Sequence, residues 1–260
     1  VRTQVEPHDN SVDVGLPTDS KIGSGGRLSL AKQGGKLTGG TSARWEHDRL
    51  DPNDAGRLTA PDEVGASVWL RYDFDSDGSD SFIRRGNVRT NVTKSWLYAG
   101  RTVMRPDDPE QVLWSYGDRH EQDLGGNVGW WMQTRSFWNL WGGVWRHGEG
   151  YSKYDTRFYD DERGPLIKRP RRQGLWLGCQ TDWRNDFNME LNIDLSETDN
   201  GGSSTEFNVG LNWVQSDRLN HSVSVGWADG VTANQWIDNV ASDTGIGGVG
   251  YLFARLDRQT

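Results

Sequence analysis

The chain has 260 residues, 33% of them hydrophobic, with a mean hydropathy of −0.79 and a formal net charge of −8. It holds no run of about 18 apolar residues, which excludes a transmembrane helix, and its acidic balance argues against a nucleic-acid surface, which needs concentrated positive charge. A membrane β-barrel stays open, because only alternate residues of a lipid-facing strand need be apolar, and the 14 Trp, 7 Tyr and 7 Phe suit a boundary between apolar and wet surroundings.

Residues 1–26 are rich in Asp, Gly, Pro and Ser without periodicity and read as an irregular lead-in to one antiparallel β unit over 27–260. A first hairpin is predicted from 27–32 and 36–47 around Gln33, Gly34 and Gly35. In 64–74, Ala66, Val68, Leu70, Tyr72 and Phe74 alternate with Gly65, Ser67, Trp69, Arg71 and Asp73, and 87–98 repeats the pattern with Val88, Thr90, Val92 and Trp96 in phase. Pro106, Pro109 and the acidic residues around them predict a loop over 101–111. Aromatic-dense strands follow in 125–134 and 137–145, then a long non-periodic stretch over 149–170, then a strand centred on 175–181.

The clearest signal is in 187–228, where three alternating segments are separated by turn-rich stretches. Phe187, Met189, Leu191, Ile193 and Leu195 share one face, with Asn188, Glu190, Asn192 and Asp194 on the other. Phe207, Val209, Leu211 and Trp213 continue the apolar side, as do Val223, Val225 and Trp227. The last strand begins near Tyr251 and is still running at Thr260, which predicts truncation within the unit. The expected fold is all-β: an antiparallel meander of about ten or eleven strands, as a transmembrane β-barrel or a portion of one, with a sandwich as the alternative closure.

Four groups are candidate sites. Asp73, Asp75, Asp77 and Asp80 match the D-x-D-x-D-G opening of a calcium loop, although Arg84 stands where the closing Glu belongs. Trp130, Trp131, Trp138, Trp141 and Trp145 could stack on sugar rings or form an interfacial girdle. Lys168, Arg169, Arg171 and Arg172 form a basic cluster suited to lipid phosphates or to an acidic lumen. Asn188, Glu190, Asn192 and Asp194 are the expected lumen-facing polar set. No metal-ligand spacing, G-x-S-x-G elbow or phosphate loop occurs, so no enzyme is expected and no metal site other than the calcium loop.

Three segments carry a resemblance. The stretch 47–57 with Pro61, Asp62 and Glu63 resembles the "NDLGF" segment of a bacterial family of unknown function, 164–170 resembles its "GGPxxxRP" loop, and 251–260 resembles its "FAxLDxxT" strand. Ala55 and Arg57 depart from the usual Leu and Phe. In that family an outer-membrane barrel follows a module similar to family-nine carbohydrate-binding domains, and that module is absent here. The resemblance implies a Gram-negative outer-membrane location, lipid as surroundings, and glycans or other envelope proteins as partners. The expected role is structural, transport or surface assembly, the alternative being a secreted β-sandwich that binds carbohydrate through Trp surfaces.

Overall fold

The computed structural model describes residues 2–3, 21–22, 25–46, 63–76, 78, 81–97, 101–105, 108–116, 120–152, 155, 157–158, 162–163, 166–246 and 249–259. Eleven of its strands form one sheet: β1 Gly25–Lys32, β2 Leu37–Glu46, β3 Glu63–Asp75, β4 Ile83–Leu97, β5 Glu121–Thr134, β6 Asn139–His147, β7 Arg172–Gln180, β8 Phe187–Thr198, β9 Ser203–Ser216, β10 Leu219–Ile246 and β11 Val249–Gln259. Their spatial order is their sequence order and each neighbouring pair is antiparallel, so the sheet is a pure meander. It is not closed into a barrel: among the described strands β1 pairs only with β2, and β11 only with β10.

Connections differ sharply between the two ends. At one end the strands are joined through 33–36, 76–82, 135–138, 181–186 and 217–218, none longer than seven residues. The other end carries the connections 47–62, 98–120 and 148–171, with 199–202 and 247–248 as its short exceptions. We call these the turn end and the loop end. The connection 98–120, expected to contain a loop over 101–111, instead holds an antiparallel hairpin of Arg101–Arg105 with Asp108–Tyr116. Its ladder jumps from Arg105↔Asp108 to Met104↔Val112, which leaves Pro109 in a bulge where its missing N–H costs nothing. The 148–171 insertion pairs Gly150–Ser152 with Ile167–Arg169 and Arg157–Phe158 with Glu162–Arg163. Lys21–Ile22 in the expected lead-in pairs with Arg2–Thr3.

Directly opposed residues of antiparallel strands share a face, so the registers assign every side chain of the meander to one side. One side is predominantly apolar and exposed, carrying Leu28, Leu30, Val68, Leu70, Val88, Val92, Val128, Val144, Leu177, Phe207, Leu211, Val223 and Val225. Val225 is 63% exposed and Leu30 76%. The other side carries Ser67, Arg71, Asn91, Asn127, Asn192, Asp194, Glu206 and Asn208. Burial is inverted relative to a water-soluble protein: among the described residues Leu97 is the buried hydrophobic side chain, whereas Glu63, Asn87, Ser95, Gln122, Gln133, Thr134, Ser152 and Asp182 are buried polar ones.

The apolar band runs obliquely to the hydrogen-bond rows. In β3 it extends from Val64 to Phe74 and is centred at position 69; in β8 it extends from Phe187 to Leu195 and is centred on Leu191. The row through Leu191 runs Cys179, Leu140, Met132, Gly86 and Phe74. The centre has therefore moved from position 69 to position 74 over five strands, about one residue per strand, which is the order of stagger that tilts strands by roughly 35–45° in a barrel. Exposed Phe82, Trp138, Trp183, Phe187 and Trp213 gather at the turn end, at least one at each of four successive hairpins. At the loop-end border stand Lys94, 3.1 Å from Glu121 and over the Trp96 ring, and Arg146.

Candidate functional site

The aromatic group does not form one platform. Trp130 and Trp131 are consecutive and so lie on opposite faces, Trp130 in the apolar row with Val88 and Gly142, and Trp131 on the polar face opposite Trp141. Trp138 lies in the β5–β6 turn. On the polar face Trp141, Gly143 and Trp145 of β6 stand directly opposite Gly178, Trp176 and Gly174 of β7. Each indole covers the facing glycine: a Cβ at Gly178 would lie 2.3 Å from the Trp141 ring, one at Gly143 2.3 Å from Trp176, and one at Gly174 2.7 Å from Trp145. The expected group misses Trp176, whose signal is the complementary spacing W-x-G-x-W against G-x-W-x-G.

The calcium motif falls differently from its expectation. Asp73 and Asp75 belong to the extended strand β3, and the Asp73 carboxylate accepts from Arg71, whose terminal nitrogen is 2.7 Å away. Arg135 donates to the carbonyls of Gly78 and Ser81, tying the β3–β4 connection to the β5–β6 turn. Arg84 is already in β4, with its guanidinium over the Phe137 ring. Asp77 and Asp80 lie outside the described residues. Among the described residues no group of three or more His, Cys, Asp or Glu side chains is placed to hold a metal ion.

The basic cluster is divided among acidic partners. Lys168 lies 2.7 Å from Glu149, Arg171 lies 3.9 Å from Asp199, and Arg169 is paired with Asp155, its Nε donating to Oδ2 at 2.7 Å. Burial pushes the Asp155 carboxyl up, but the Arg169 guanidinium and the Ser152 hydroxyl beside it outweigh that and hold it below the usual carboxylate range. Asp155 thus ties together the strand leaving the insertion, through Arg169, and the one entering it, through Ser152. Arg169 and Arg172 also face a hollow of about 290 Å³ shared with Arg44, Glu63, Asp123 and Ser95, on the polar side of the sheet. There Arg44 is paired with Glu63, and His147 Nδ1 lies 2.8 Å from Asp123.

Asn188, Glu190, Asn192 and Asp194 all stand on the polar face of β8. Asn192 donates to Glu190 at 2.9 Å, and Asn192 and Asp194 face Asn208 and Glu206 across a hollow of about 320 Å³. A further cleft, of about 630 Å³, opens at the loop end between Lys168–Arg169 and the ends of β8 to β11. What these elements provide chemically is a polar side, charge-matched around the insertion, with that insertion fastened over one end.

No curated protein and no solved structure matches the chain. A family model described as a domain of unknown function, DUF5916, matches residues 8–259. The match spans the whole meander, from before β1 to the end of β11. The chain belongs to the DUF5916 family.

Proposed function

We propose that the chain is an integral outer-membrane β-barrel protein, or the ordered portion of one, with a structural, transport or surface-assembly role in a Gram-negative envelope. The observation that carries this reading is the exposed apolar band, continuous across the strands and sliding along them by about one residue per strand. Burying a Val, Leu or Phe side chain is worth about 1.5–3 kcal/mol, so so many left in water would drive association. Hydrocarbon is a solvent that accepts the whole band at once.

Dimensions support the same surroundings. From Phe187 to Leu195 the band spans eight residue steps at about 3.4 Å each, roughly 27 Å along the strand and about 20 Å when tilted near 40°, close to the roughly 25 Å apolar height of outer-membrane barrels. Aromatic residues border the band at the turn end and Lys94 and Arg146 border it at the loop end. Short turns at one end and the three long connections 47–62, 98–120 and 148–171 at the other are in keeping with the periplasmic and extracellular ends of such barrels. Unpaired edges do not survive in hydrocarbon, so this reading requires partners for the outer edges of β1 and β11, supplied by strands beyond these eleven or by another chain. Outer-membrane lipid is then the immediate partner, and glycans or other envelope proteins are partners for the loop end.

Fractionation of the native protein tests this. The protein is expected to stay with outer membranes through high-salt and carbonate washes and to leave only in detergent. Release into the carbonate wash would overturn the reading.

A further inference from the structure

We propose that the loop-end cleft on the polar side is a binding site for a neutral oligosaccharide. Its volume of about 630 Å³ falls within the roughly 300–1,000 Å³ of small-ligand sites. The cations in its wall are matched before any ligand arrives, Arg169 by Asp155 and Lys168 by Glu149, while the Glu197 carboxylate accepts from the neutral Gln173 amide, Nε2 to oxygen 2.7 Å. An anionic ligand would find no spare counter-charge there and would lose its own hydration.

The wall otherwise offers short hydroxyls and amides, Ser196, Ser204, Thr232, Asn234 and Gln235, which exchange hydrogen bonds with sugar hydroxyls in either direction. One aromatic pair completes it, Trp236 directly opposite Phe253 on the neighbouring strand. Trp236 Nε1 donates to Asn239 Oδ1 at 3.1 Å, which fixes the ring and spends its polar edge. What remains to a ligand is the apolar indole face, the surface against which the C–H side of a pyranose packs.

The backbone is irregular at this point. The β10–β11 register shifts between Thr232 and Gln235 and again between Trp236 and Asp238. Such bulges remove residues from the ladder and re-aim their side chains, and these two flank Asn234, Gln235 and Trp236. A third shift follows between Ala241 and Ile246, whereas the pairings from Asp229 to Thr232 run without one. This proposal does not rest on the membrane reading, since the cleft is formed by the chain itself.

The test is calorimetric titration of the detergent-solubilised full chain with neutral trisaccharides of α-1,4-glucose, β-1,4-glucose, β-1,4-N-acetylglucosamine and α-1,6-mannose, with a trigalacturonate as the charged control. At least one neutral sugar is expected to bind, at least tenfold more tightly than trigalacturonate, and Trp236→Ala is expected to weaken it tenfold or more. Binding by none of the neutral sugars, equal or tighter binding of trigalacturonate, or unchanged affinity in Trp236→Ala would each overturn the proposal. If Trp236→Ala does not fold, Asn234→Ala and Gln235→Ala take its place: tenfold weakening by either supports the site, and unchanged affinity in both overturns it.

Discussion

A flat indole over a bare glycine is the repeated contact of the polar face, and it makes a prediction at single residues. Gly178 and Gly143 leave room on the pleated surface that Trp141 and Trp176 occupy, so a methyl group there collides with a ring rather than with the far end of a flexible chain. Gly178→Ala should destabilise the folded protein by about 1–3 kcal/mol, the usual range for overpacking. In Trp141→Ala the same change should cost much less, because the obstructing ring is gone. Equilibrium urea unfolding in detergent or lipid measures both, and additive effects of the two changes would contradict the contact. This pattern is written in the sequence, but only knowledge of the β6–β7 register turns two separate Trp and Gly spacings into one interlock. The same lack of register let five Trp residues look like one group, when the period of two alone separates Trp130 from Trp131.

At the scale of elements, legibility followed alternation. β8 and β9 and the first part of β10 were readable because Phe187 to Trp227 keeps one apolar and one polar side, and the first hairpin was readable from Gly34 and Gly35, the latter at φ 84°. Beyond Ala228, β10 continues through Asp229, Gly230, Thr232 and Asn234, where alternation fails; β9 pairs with it as far as Val231, and past that the ladder to β11 holds the strand extended. The insertion was unreadable for a different reason: its organising contact joins Asp155 to Arg169 across 14 residues with no periodic pattern between them. That contact sets a pH dependence. The folded Asp155 carboxyl titrates below its ordinary value, so its contribution is fully present above the unfolded pKa of about 3.9 and is lost as pH falls through the lower folded value. Hydrogen exchange across 148–171 should therefore speed up below about pH 4 relative to the sheet, corrected for intrinsic rates, and Arg169→Ala should move that onset to higher pH. An onset unchanged in the variant would dissociate Asp155 from the fastening of the insertion.

For the whole molecule the organising fact is the inverted arrangement, with polar side chains such as Asn87, Ser95 and Gln133 buried and Leu, Val and Phe side chains such as Leu30, Val225 and Phe187 exposed. Strand identity, antiparallel order and the two faces follow from the sequence, whereas the drift of the band and the unequal ends of the sheet emerge only from pairing. Both are what a tilted, membrane-spanning cylinder demands of a meander. The most direct measurement is spin-label accessibility along β8 in lipid vesicles, in a Cys179→Ala background with single cysteines at each position from 187 to 195. Oxygen contact is expected at 187, 189, 191, 193 and 195, greatest at 191, and contact with a water-soluble nickel chelate at 188, 190, 192 and 194. Chelate contact at Leu191 equal to that at Asn192, or no alternation in oxygen contact, would contradict this expectation.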